Sequence, residues 1–198
     1  MAATGLSPEF DWLAETGDAD DSWFGPGPML VNLQHWMDRL AATSHRHLVL
    51  ATYAAAQTSH PHWDKWLADS PNIAHESILD ARTPTEQLAA VAHWLDTPTE
   101  ENKSDAQETV DLTKQLHWYH EEYEDVWFDE PGMWAVESAE HCVLSLTGDP
   151  YSSLTLTNLA TIAVSCAVNS FRRSLGDSIR AALRSVVDAI ADQFAEAG

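Results

Sequence analysis

From Met29 onward, apolar residues in this 198-residue chain recur every three or four positions, and no stretch alternates apolar with polar residues in the manner of a strand. A helix with one apolar stripe must bury it against another helix, so this pattern confines the chain to helix-on-helix packing. Leu33, Met37, Leu40, Ser44, Leu48 and Ala51 predict one helix from Met29 to about Gln57. Pro61 and Pro71 then bracket a loop or short helix holding Trp63 and Trp66, with His60-Pro61-His62 read as loop. Thr83-Pro84 is a helix start, with Leu88, Val91, Ala92 and Leu95 on its apolar side and Thr97-Pro98 ending it. A long helix is expected from Ser104 to about Phe128, with Thr113, Leu116, His120, Tyr123 and Trp127 facing inward. Pro131-Gly132 breaks it, a helix follows over Met133 to Leu146, and Gly148-Asp149-Pro150 makes a turn. Leu154 to Leu175 is apolar on most sides and is read as the central helix. Ile179, Leu183, Val186, Ile190 and Phe194 form the stripe of the last one.

The expected architecture is therefore an all-α, single-domain bundle of about six or seven helices over residues 29–198. Residues 1–28 carry six acids, no base and several Gly and Pro residues, and read as a loosely ordered acidic arm.

Charge is distributed unevenly. Residues 1–149 hold 27 acidic and 6 basic side chains, whereas residues 150–198 hold 4 of each. An acidic field repels nucleic acid and anionic membrane and speeds encounter with basic proteins. A basic protein partner is thus expected, with no nucleic acid and no membrane. No run of 18 apolar residues is present and the N-terminal stretch has no secretory character, so a cytoplasmic setting is expected. Cys142 and Cys166 sit in apolar helical stretches and read as buried, inert thiols. Acidity with only three lysines also fits the surface of a halophile's structural protein, although the balanced last two helices count against that alternative.

Catalytic signatures are lacking: there is no Gly-x-Ser-x-Gly elbow and no Gly-rich phosphate loop. The chain is read as a non-enzyme without a cofactor. The alternative is a metal-dependent bundle enzyme. His117, His120, Glu121 and Glu124 share one helical face, and Glu137 and His141 lie one turn apart on the next helix. The candidate ligands are His117, His120, Glu121 and His141. Dinuclear carboxylate bundles use Glu-x-x-His on two helices, whereas this chain has a single Glu137-x-x-x-His141. His45 and His47 point to nearly opposite faces and cannot chelate together.

Between Trp118 and Glu130, six acids are interleaved with five aromatics. Aromatics anchor interfaces, and carboxylates beside them pair with Lys and Arg of a partner. The expected partner-binding set is Glu121, Glu122, Glu124, Asp125, Asp129 and Glu130, with Tyr119, Trp127 and Trp134 as aromatic anchors.

The order of features resembles the small all-helical immunity proteins of bacterial polymorphic-toxin systems. The stretches concerned are His47-Leu-Val-Leu-Ala-Thr-Tyr-Ala-Ala-Ala56, the Pro61 and Trp63 segment, the helix ending His93-Trp-Leu95, and Val186-Val-Asp-Ala-Ile-Ala191, within residues 29–196. The resemblance is one of layout and composition. It implies a cytoplasmic protein that binds a cognate toxin and plugs its active site. Where the toxin is a nuclease, its substrate groove is basic and an acidic inhibitor mimics the phosphate field.

Overall fold

The structure is a computed structural model that describes residues 28–69, 83–110, 130–175 and 179–197. Seven helices and no strand occur among the described residues: α1 (Pro28–Thr43), α2 (His45–Asp69), α3 (Thr83–Asp96), α4 (Glu100–Glu108), α5 (Pro131–Thr147), α6 (Leu156–Leu175) and α7 (Ile179–Ala197). The all-α expectation holds. The acidic arm lies outside the described residues, apart from Pro28.

The first expected helix is in fact two, divided at Ser44. Its hydroxyl accepts the backbone N–H of His47 at 3.1 Å, which makes Ser44 the cap that starts α2. A serine side chain that bonds local backbone competes with helix continuation, so the apolar stripe runs across a break.

Pro61 does not open a loop. It lies at an exposed position inside α2, which continues to Asp69. An interior proline costs a helix about 3 kcal/mol. Beyond it, Trp63 and Trp66 are buried at 0% and 7% exposure. Each indole removes roughly 150–250 Å² from water, about 4–6 kcal/mol at 25 cal/mol/Å². Their burial therefore outweighs the proline.

α2 runs between two cores. Leu48, Ala51, Ala54 and Ala55 pack with α1, α6 and α7 around Leu33, Trp36, Met37, Val164, Leu183 and Ile190. Val49, Leu50 and Ala56 join Leu88, Val91, Trp94, Cys142, Val143 and Leu146 from α3 and α5. A third cluster sets Trp63 and Trp66 against Met133, Ala135 and Val136 of α5. The position expected for α6 is thus shared: α5 is the more enclosed helix, buried at 13 of its 17 residues. It stands against α2, α3, α4 and α6.

Local chemistry closes the helix ends. The Thr99 hydroxyl caps α4 by accepting from the Asn102 N–H, so this helix begins four residues before the expected Ser104. Thr155 does the same for α6 through Asn158 at 3.2 Å. The Arg46 guanidinium donates to the Leu95 carbonyl at the end of α3. Gly148, at φ 85°, ends α5 in a conformation that side chains disfavour.

At Gly132 an added Cβ would lie 2.7 Å from both Cβ and Cγ of Trp66. Those atoms sit next to the α2 backbone, so relief requires the two helices to separate. Gly132→Ala is expected to destabilise the fold by about 1–3 kcal/mol, measured by urea unfolding. A variant as stable as the parent would refute this close approach.

Candidate functional site

Most of the expected partner-binding set lies outside the described residues: Tyr119, Glu121, Glu122, Glu124, Asp125, Trp127 and Asp129. His117 and His120 of the alternative metal set lie outside them as well. The two remaining members are described. Glu130 is half-buried at the residue preceding α5, with extended backbone and no side-chain capping bond. Trp134 is only 5% exposed. At that exposure it is not the surface anchor expected: α5 is enclosed on most sides and the indole belongs to its packing.

The described start of the acidic segment is exposed. Asp96, Glu100, Glu101, Asp105 and Glu108 all face solvent, while Asn102 and Ala106 turn inward. The Asn102 amide donates to the Thr97 carbonyl at 2.7 Å, fixing α4 to the end of α3. Two of these acids occupy the first turn of α4, where the helix dipole favours negative charge. They thus stand in place without a basic neighbour being needed to hold them there.

A second group of ionisable residues lies on α5. Glu137, Glu140 and His141 each bring one ligand atom to within 4.8 Å of the others. Glu137 and His141 are half-buried and Glu140 is 8% exposed. The Nδ1 of His141 lies 2.9 Å from the Glu137 carbonyl oxygen and 3.6 Å from its carboxylate. A carbonyl only accepts, so Nδ1 is the donating nitrogen of the His141 ring. Sequence reasoning paired Glu137 with His141 and passed over Glu140. Spacing of three and four residues places all three on one face.

The thiols are buried, as expected. Burial pushes Cys142 up to about 12, against a lowering hydrogen bond from Thr52. Cys166 is held well above the usual thiol range by burial and by the negative charge of Glu137 and Glu140. Neither thiol is a nucleophile at neutral pH. Native protein at pH 8 should leave both unreacted with a disulfide reagent and release two thiols on unfolding. Rapid labelling of folded protein would contradict this.

One serine–histidine contact resembles a catalytic couple without being one. His62 Nδ1 lies 2.8 Å from Ser170 Oγ, and that hydroxyl donates to the Pro131 carbonyl at 2.7 Å. The serine proton is thereby committed, so the imidazole donates and cannot act as base toward this hydroxyl. Ser170 is also fully buried. His45 and His47 are separated as expected: His45 Nε2 donates to the Ser145 carbonyl, while the His47 ring lies tilted against Phe194 with centroids 5.5 Å apart.

Burial, and to a lesser degree Lys65, lowers the pKa of His62 below its ordinary 6.5. The unfolded chain then takes up this proton more readily than the folded one. Stability from neutral His62 is complete above about 6.5 and falls as pH drops below it, until the folded imidazole itself charges. His62→Gln should flatten this part of a stability–pH curve between pH 7.5 and 5, recorded by urea unfolding. An unchanged slope would exclude His62 as its source.

No protein-family model matches the chain, and neither a curated protein nor a solved structure matches it. Among the described residues, no helix is long and apolar enough to cross a membrane.

Proposed function

We propose that this chain is a non-enzymatic, cytoplasmic inhibitor of the immunity type. It binds a basic partner, a toxin domain such as a nuclease, and occludes the active site with its acidic surface. The observation that carries this reading is the exposure of Asp96, Glu100, Glu101, Asp105 and Glu108 at the head of the acidic segment. Residues 96–130 hold 12 acids and 2 lysines, so the exposed face leads directly into the strongest negative run of the chain. A field of that sign accelerates association with a cationic surface by roughly 10- to 1,000-fold at low salt. The contact set extends through Tyr119, Glu121, Glu122, Glu124, Asp125, Trp127, Asp129 and Glu130.

The test begins with the neighbouring gene, which is expected to encode a toxin domain, and proceeds to co-expression and stopped-flow association of the purified pair. The pair should form a complex and restore growth. Exchange of the five described acids for Asn and Gln should slow association about tenfold or more at low ionic strength, with little effect at high salt. A rate indifferent both to the exchange and to salt would remove the acidic face from the mechanism. Absence of any complex would remove the proposal.

A further inference from the structure

We infer that the end of the bundle carrying the 148–155 connection is the docking face for the basic protein partner, with Tyr151 as its aromatic anchor. This deepens the inhibitor reading and rests on it.

The apolar part of the face is concentrated. Among the described residues only four large apolar side chains are exposed, and two of them stand on this one connection: Tyr151 at 81% and Leu154 at 45%. The backbone that presents them is set by its own side chains. Asp149 Oδ1 accepts the Tyr151 N–H at 2.8 Å, and Ser152 Oγ accepts the Leu154 N–H at 3.3 Å. A tyrosine ring turns about two bonds only, so a ring on a pre-shaped loop buries a large area at small entropic cost.

The second part is the charge gathered around it. The His45 ring bonds the Ser145 carbonyl, and the Arg46 guanidinium bonds the Leu95 carbonyl. The start of α2 thereby collects the last turns of α3 and α5 at one end of the bundle. Asn102 ties the start of α4 to the same place, and Phe194 in the last turn of α7 lies against His47 in the first turn of α2. Asp96, Glu100, Glu101, Asp149, Asp192 and Glu196 therefore share this end. All are exposed except half-buried Asp149, and none takes part in an ion pair among the described residues. The cations among them are Arg46, bonded to the Leu95 carbonyl, and half-buried Lys103; Arg39 of α1 adjoins Asp38. Helices α6 and α7, balanced in total, are polarised along their length. Asp192 and Glu196 close α7 here, whereas Arg172 and Arg173 end α6 at the opposite end, where Ser170 meets His62.

An aromatic anchor ringed by unpaired carboxylates fits a cationic protein surface with room for one ring. Arginine is the best match, since its guanidinium both stacks on an aromatic face and pairs with carboxylates. Nucleic acid is repelled by this charge, and so is a second copy approaching by the same end.

The experiment uses the full chain and the purified toxin domain of the neighbouring gene, with association and dissociation followed by stopped flow. Tyr151→Ser should weaken the complex about 30-fold, mainly through faster dissociation, as removal of an interface hot spot does. Asp192→Asn combined with Glu196→Gln, two positions outside the acidic segment, should slow association, the more so the lower the salt. Leu175→Ser is the control: Leu175 is 61% exposed at the opposite end, and its variant should bind as the parent does. Circular dichroism checks that the variants stay folded, and none of these exposed side chains belongs to a core. A complex from which Tyr151→Ser dissociates no faster than the parent would overturn this face and leave the inhibitor reading standing. Absence of any complex would remove that reading and this face together.

Discussion

The approach of α2 to α5 is the contact on which the rest of the bundle depends. It is possible because small residues line the contact: Ala56 from α2, and Gly132, Ala135 and Ala139 from α5. Small side chains bring backbones close, and close backbones let buried hydroxyls reach across. Thr52 of α2 sits 3.0 Å from the Ser145 hydroxyl of α5 and 3.5 Å from Cys142 Sγ. Ser138 continues the tie to α6 by donating to the Ala163 carbonyl at 2.8 Å. With these three helices fixed, α1 and α7 close one side of α2 and α3 and α4 the other. A single chain segment thereby serves two hydrophobic cores.

Where the sequence was legible, local rules and tertiary packing agreed. Thr83-Pro84 starts α3, Gly148 ends α5, and the stripe of Ile179, Leu183, Val186 and Ile190 lies on α7 as its spacing requires. The misreadings fall where the two conflict. Apolar spacing continues through Ser44, but a hydroxyl cap decides the boundary there. Proline at 61 argues for a loop, but two tryptophans downstream gain more by burial than the helix loses. Nearness to an acidic run suggests an outward Trp134, but the indole is buried. Proximity along the chain says nothing about face when a helix is enclosed on most sides.

The candidate sites divide along the same line. An exposed carboxylate run is visible in composition, and its described part lies on the surface as charge alone requires. The α5 cluster was half visible. Glu137 and His141 stand four residues apart, outside the Glu-x-x-His spacing of dinuclear bundles, so that motif does not lead to Glu140. The face rule used for residues 117 to 124 also joins 137, 140 and 141, and would have included Glu140. What no spacing rule could give is the tautomer of His141, since that depends on which carbonyl the ring meets.

The two acidic regions differ in how far their charge acts. Exposed carboxylates on α4 keep their hydration, and their influence decays over a Debye length of about 10 Å at 0.1 M salt. They bias the approach of a distant cation and contribute little to any single contact. Glu140, shielded within α5, sits in a medium where charge is weakly screened, so its interactions are strong, short in range and selective for what fits. A protein surface steers through the first kind of carboxylate and holds through the second. The proposed docking therefore belongs to α4 and the segment beyond it. Rising ionic strength should weaken that docking, while the shielded carboxylate of Glu140 responds far less.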